Sequence, residues 1–446
     1  MRRGINVAAI FYFSGDEAVA RIESIENALG IPTNNHTTNQ PQLLIAMKLK
    51  ITLLAGLAAL GFASSASAQT VINITGATAF RSAAHTAIIN LLGGDGVTKY
   101  GYAGSSIGSA NHAIFFGQIG GEDYIIRTSQ SGSTAGIAAV VNATSLTYLK
   151  TSLVEDTDYS TAGVQIASNI TDATNASKTE SAVGRFSFSD VDQAISQTPT
   201  PALPGSPVGV VPFVFVANVG APAGLTNMTD QLHEAQWSNG QLPLSMYTGN
   251  PADTKFVLNT GRSNGSGTRA TILSETQYGP FRAVKQWAGA SNTAGGEGTG
   301  TVAFLTNVDD GGYSSNSFVR GLLSRTSTSV TVGATAGQDV VIISYLTLSD
   351  AVAISDVNGP GTGVGAKSLT YNGIPYSSDN VQNGSYTLWG YQNFYGPIGI
   401  TVGEQSFFDT FVAEIPNALD PLANGITIPD MNVTRNGGDG GPVTPN

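Results

Sequence analysis

Not one of the 446 residues is a cysteine. That absence removes disulfides, thiolate zinc sites, cysteine nucleophiles and a lipidated N-terminal cysteine together. Charge is scarce as well: Asp, Glu, Lys and Arg make up 11% of the chain, against about 25% in an average soluble domain. Polarity comes instead from 54 glycines and from Ser, Thr and Asn, so the surface is largely neutral and polar. The net charge is −11, and without a basic stripe to neutralise phosphates along a backbone no general nucleic-acid partner is expected. Of the four histidines, His85, His112 and His233 are scattered, and His85 falls in an apolar-periodic stretch that suits a core or surface role. They suggest no metal cluster and no nucleophile with its base, so no metal, cofactor or catalytic residue is expected.

Long hydrophobic runs are also missing. The segment "MKLKITLLAGLAALGFASSASAQT" has Lys48 and Lys50, then an apolar run from Ile51 to Phe62, then small residues ending at Ala68. The run is too short for a bilayer-spanning helix, which takes ~20 residues. Its three-part layout is that of a secretory signal peptide over 47–68, with cleavage after Ala68 and a periplasmic or secreted product. Because a signal peptide works at an N-terminus, Met47 is expected to be the true start and residues 1–46 a start-site error or an unstructured extension.

What is present from Val71 onward is a recurring unit: a short β-type run, a turn of small polar residues, and a stretch with helical periodicity. "VINI" leads through "TGAT" to "AFRSAAHTAIINLL", and "YIIR" through "TSQSGS" to "TAGIAAVVNA". "RFSF" leads into "SDVDQAI", and "KFVL" through "NTGRSNG" to "SGTRATIL". Such alternation predicts an α/β fold, and the length allows two lobes. "PVGVVPFVFVANVG" reads as buried strand at the passage from one lobe to the other, "IGITVGEQSFFDTFVAEI" as a closing helix, and the tail 436–446 as disordered.

At each junction the first helical turn carries hydroxyls: Thr78, Ser133 with Thr134, Ser189, and Ser266 with Thr268. Helix starts present unpaired N–H groups and partial positive charge, so converging starts would make an oxyanion site. Each hydroxyl can equally cap its own helix. The fourth junction, "TGRSNGSGTR", is more specific, because Arg262 offers a planar fork of donors and Gly265 and Gly267 admit close backbone approach. No Gly-Lys-Ser/Thr follows, which sets nucleotide hydrolysis aside.

"GRSNGSGTR" resembles the Arg-x-Asp-Gly-Ser-Gly-Thr signature of the periplasmic phosphate-binding proteins that serve ABC-type phosphate importers. "TGATAF", "SGSTAGI", "FSFSD", "PVGVVPFVFVAN" and "GSYTLWGYQNFY" resemble further blocks of that family in the same order, over most of 70–420, with 280–380 matching poorly. The resemblance implies a two-lobed type II periplasmic-binding fold, with 69–212 plus 385–435 as one lobe and 213–384 as the other. It further implies a monomer that binds inorganic phosphate in the cleft and delivers it to a membrane importer. Carried over, Thr78, Ser133 (or Thr134), Asp190, Arg262, Ser266, Gly267 and Thr268 would contact the anion. Asp190 would accept the proton of hydrogen phosphate and so reject sulfate; by itself it could also be a helix cap. The family's second Asp is Asn264 here, which predicts a more mobile Arg262, and Arg269 reads as a solvated helix face. Two alternatives come from the same features: a secreted phosphatase on this scaffold, and a surface protein that kept the fold without its ligand.

Overall fold

Short apolar runs that end in small polar turns become strands that feed helices. In chain order, β1 (Thr70–Gly76) leads to α1 (Arg81–Leu91). After β2 (Thr98–Tyr102) and β3 (His112–Ile119), β4 (Glu122–Ser129) leads to α2 (Ser133–Val141). Next come β5 (Phe186–Ser189), β6 (Gly205–Ala217), α3 (Asp230–Asn239) and β7 (Gln241–Pro243). Two more strand–helix units follow, β8 (Phe256–Asn259) with α4 (Gly267–Glu275) and, after α5 (Asn316–Leu323), β9 (Val340–Thr347) with α6 (Leu348–Ile354). β10 (Trp389–Tyr395), α7 (Val402–Glu414) and a hairpin of β11 (Val433–Arg435) and β12 (Val443–Pro445) complete the chain. The fold is mixed α/β.

This computed structural model describes residues 69–102, 106–152, 178–289 and 298–446, which fall in one unit, Ala68–Asn446. The expected extension 1–46 and the expected signal peptide 47–68 lie outside the described residues. Among the described residues no helix is long and apolar enough to cross a membrane.

The principal sheet runs β7-β8-β9-β6-β10-β5-β1-β4-β3-β2. β1 sits between two parallel neighbours, β4 and β5, and β8 is parallel to β9. β6 is buried without interruption from Val208 to Ala217, the near-continuous apolar run of a strand covered on both faces. It pairs β10 through Gly205 to Pro212 and β9 through Phe213 to Ala217. Pro212 has no N–H to give a ladder, and the partner changes at that residue.

The closing helix α7 docks by its phenylalanines. Phe407 and Phe411 are buried against Phe186, Phe188 and Phe394, with ring centroids 4.6 Å apart for Phe188 and Phe394. Its first turn is held by a capping box of Thr401 and Glu404. The Arg185 fork on Glu404 (2.6 and 2.8 Å) keeps that carboxyl well down, at about 2.

Two expectations are corrected. "SDVDQAI" forms only a single 3-10 turn, Gln193–Ile195, rather than a helix. The tail is ordered: Arg435 pairs with Glu275 at 2.6 Å, Gly440 N donates to Glu275, and Asp439 accepts from the main-chain N of Asp192 at 2.7 Å. Three glycines, Gly437, Gly438 and Gly440, take positive φ near 80° there, which glycine alone adopts without strain.

His233 on α3 is fully buried, its ring 4.3 Å from Trp237, and neither ring nitrogen has a hydrogen-bond partner. Burial holds its pKa down at about 3. The unfolded chain takes up this proton near pH 6.5 and the folded chain only near 3, so the stability is complete above about pH 6.5 and is lost as pH falls. Between pH 6.5 and 5 the wild type should lose about 2 kcal/mol relative to His233→Phe, read from urea melts at both pH values. Parallel losses in the two proteins would show that His233 already shares its proton in the fold.

Candidate functional site

Asp190 leaves the end of β5 and is 1% exposed. It is no helix cap: the following turn is capped by Asp192, which accepts from Ala194 N. Asp190 instead receives hydroxyls from two distant helix starts. Ser133, the first residue of α2, donates to Oδ1, and Thr268, the second residue of α4, donates to Oδ2 at 2.8 Å. Thr271, one turn further along α4, donates to the Asp190 main-chain oxygen at 2.5 Å.

The same two helix starts are tied by Thr134, whose hydroxyl donates to Gly265 O. Gly267 is required for this approach, since a Cβ there would fall well inside 3.0 Å of both Asp190 Oδ1 and the Ser133 Cβ. Ser266 is the cap of α4, its oxygen accepting from Arg269 N at 3.3 Å. Ser133, Thr134, Asp190, Ser266, Gly267 and Thr268 therefore meet in one buried group. Thr78 stands apart from its hydrogen bonds, half-buried in the turn between β1 and α1.

Electrostatically the group centres on a reluctant carboxylate. Burial pushes the Asp190 pKa up, and the Ser133 and Thr268 hydroxyls, then the charge of Arg262, pull it partly back. Arg262 is itself 1% exposed. Burial lowers its pKa, and Asp190 is the foremost charge that raises it.

The arginine's fork does not point where the family resemblance leads one to expect. Nε donates to Tyr313 O at 3.1 Å, Nη1 to Asn316 Oδ1 at 2.9 Å and Nη2 to Ser314 O at 2.7 Å. Three of its five N–H donors are thus spent on residues 313–316, leaving one on each terminal nitrogen. The loss of a carboxylate at exposed Asn264 does not loosen Arg262, because two carbonyls and an amide hold it. Arg269 is likewise not a solvated face. It is 4% exposed and pairs with Asp310 at 2.5 Å.

The residues that orient Arg262 escaped the sequence reading. "GGYSSNS" offered only a run of small polar residues, in the region where the family blocks fade. The histidines lie elsewhere. His85 is buried, bonded to Ile107 O at 2.6 Å and Thr128 Oγ1 at 2.9 Å, and burial holds its pKa at about 3. Among the described residues no three His, Asp or Glu side chains group as a metal site.

No family model matches the chain, and neither does any curated protein. Solved structures similar to it include an ABC-type phosphate transport receptor from Vibrio cholerae, 12% identical, covering 77% of this chain and 93% of that one with a TM-score of 0.40. PstS from Borrelia burgdorferi is 11% identical over 78% of this chain and 97% of its own, with a TM-score of 0.34. The OxyR C206S mutant from Corynebacterium glutamicum is 9% identical over 91% and 84%, with a TM-score of 0.32. Likeness at this level carries neither ligand nor activity over to this chain.

Proposed function

We propose that the protein is an extracytoplasmic solute-binding protein that holds a protonated oxyanion, inorganic phosphate first, and acts as a monomer delivering it to an ABC-type importer. On this reading 69–212 with 385–435 and 213–384 are the two lobes, and the anion is taken between them without being turned over. One observation carries it: the starts of α2 and α4 meet on Asp190 with Arg262 close enough to bias its ionisation. Helix-start N–H groups and the two remaining Arg262 donors would replace the anion's water, and the hydroxyls of Ser133, Thr134 and Thr268, each with one proton, would turn from Asp190 and Gly265 O to join them. Thr78 would approach from the β1 turn. Equilibrium dialysis against labelled phosphate tests the reading, and absence of saturable binding refutes it.

Asp190 would set selectivity through one shared proton. Above its raised pKa the carboxylate only accepts, so hydrogen phosphate can donate to it while sulfate meets it acceptor to acceptor. As pH falls through that pKa the carboxylic acid can donate, and sulfate should gain ground. The amide of an asparagine placed there donates at every pH. Asp190→Asn is therefore expected to raise the sulfate-to-phosphate affinity ratio by about tenfold to a hundredfold at pH 8, or about 1 to 3 kcal/mol, and to remove the part of its pH dependence that follows the Asp190 ionisation rather than that of phosphate itself. A wild type that binds sulfate as well as phosphate at pH 8 would remove this role.

A further inference from the structure

Asp439 and Gly440 are neighbours in the turn of the β11–β12 hairpin, and together they reach both elements that meet at Asp190. Asp439 Oδ2 accepts from Asp192 N at 2.7 Å, two residues past Asp190. Gly440 N donates to Glu275 Oε1 at 2.8 Å, at the opposite end of α4 from Thr268. α4 is itself fixed to Asp190 through Thr268 and Thr271. These contacts close a ring: Asp190 to Asp192 along the chain, across Asp439 and Gly440 to Glu275, and back through α4 to Asp190. The ring is closely filled. A Cβ on Gly440 would lie 2.7 Å from Ser274 O, and one on Gly390 of β10 would lie 3.3 Å from Asp439 Oδ1 and 3.4 Å from Asp190 O. Arg435 ties the hairpin to the start of β10 as well, its Nη2 donating to Thr387 O at 2.8 Å and Trp389 O at 3.1 Å.

This ring is short of cations. Arg435 and Glu275 pair at 2.6 Å with both side chains 2% exposed, whereas Asp439, also buried, forms no ion pair among the described residues. Two buried carboxyls thus have one guanidinium. A carboxyl kept from water without a cation of its own takes up a proton rather than stay charged. Burial pushes Asp439 up to about 7; the Asp192 N–H and Arg435 restrain the rise, and Asp192 and Asp190 add to it. Burial pushes Glu275 up to about 8, against the pull of Arg435 and the Gly440 N–H and with the help of Asp439. The remaining ionisable groups beside the ring are Tyr395, whose hydroxyl accepts from Gln193 N, and Tyr371, whose hydroxyl donates to Asp230. Burial holds both phenols well above the range in which the acids titrate. Both acids keep their proton more firmly in the fold than the usual carboxylate at about 4, so the stability they contribute is complete in acid and is lost as pH rises through 7 to 8.

We propose that the Asp439–Gly440 peptide is a proton-dependent clamp on the oxyanion site, holding the end of β5 and α4 in register while Asp439 and Glu275 share a proton beside Arg435, and relaxing when both acids are charged. This rests on the oxyanion reading above and adds its regulation. Asp439 and Glu275 are positioning residues: they act through Asp192 and through α4 rather than on the anion. With both charged, one carboxylate is buried without a cation, and the ring opens to let water reach it. The start of α4 then draws away from Asp190, and anion affinity falls as pH rises.

Calorimetric titration with inorganic phosphate at pH 6 and pH 9, at constant ionic strength, on wild type, Asp439→Asn and Asp439→Ala tests this. Comparing variant with wild type at each pH cancels the ionisation of phosphate itself. Asp439→Asn keeps an oxygen for the Asp192 N–H and cannot ionise. It should match wild type within about threefold at pH 6 and bind about tenfold more tightly than wild type at pH 9. Asp439→Ala loses that oxygen and should bind about tenfold more weakly than wild type at pH 6. A ratio of Asp439→Asn to wild type that is the same at both pH values overturns the clamp while leaving phosphate binding standing, and so does an alanine variant that binds as wild type does at pH 6. If the alanine variant melts early, the asparagine ratio decides alone, since it either moves with pH or does not. A wild type that binds no phosphate at either pH removes the oxyanion reading and this inference with it.

Discussion

Gly267→Ala should cost about 3 kcal/mol of stability and lower phosphate affinity a hundredfold or more. The added methyl would fall well inside 3.0 Å of both Asp190 Oδ1 and the Ser133 Cβ, so the start of α4 has to withdraw from the start of α2. Overpacking of this kind costs about 1–3 kcal/mol, and a stretched or lost Thr268–Asp190 bond adds about 1–3 kcal/mol for the unpaired buried carboxyl. Two residues earlier the same substitution should be silent. A Cβ on Gly265 meets nothing within 4 Å, so Gly265→Ala is expected to stay within about 0.5 kcal/mol of wild type. Urea melts and phosphate titrations on the two variants settle the point. Equal behaviour would mean that α2 and α4 do not approach so closely in solution.

Arg262→Ala is expected to be the most damaging single truncation in the motif. It leaves the Ser314 carbonyl and the Asn316 Oδ1 without the donor that Arg262 gave them, and the Tyr313 carbonyl with the Ser263 N–H alone, around a side chain that is 1% exposed. Breaking a buried charge network costs about 3–5 kcal/mol, and the lost cation should weaken phosphate by about 2–5 kcal/mol. Arg262→Lys keeps the charge but cannot reach three acceptors at once, so it should restore part of the affinity and less of the stability. Stability lost with phosphate affinity intact would make Arg262 a brace for residues 313–316 and nothing more.

The strand–helix alternation was legible because the apolar runs before the helices are short and end in small polar residues, while the long buried run from Val208 to Ala217 marked a strand covered on both faces. The meeting of Ser133, Thr134, Asp190, Gly267 and Thr268 was legible from the order of the family blocks. What was not legible depends on partners remote in the chain. Arg262 is oriented by residues 51 to 54 positions away, and neither periodicity nor motif spacing reports such a contact. The tail failed as a forecast for a different reason: its hairpin is fastened by Arg435, Asp439 and positive-φ glycines, and composition rules weigh apolar content alone.

That fastening has a consequence for how the protein is made. Residues 70–290 leave the ribosome well before residues 433–445, yet Asp192, two positions past Asp190, gives its main-chain N–H to Asp439, and Glu275 at the end of α4 waits for Arg435. Until the late segment emerges and folds back, a nascent chain has an incomplete wall beside Asp190. A truncated product ending before Val433 would lack Arg435 and so present a buried acid, Glu275, with no cation to answer it.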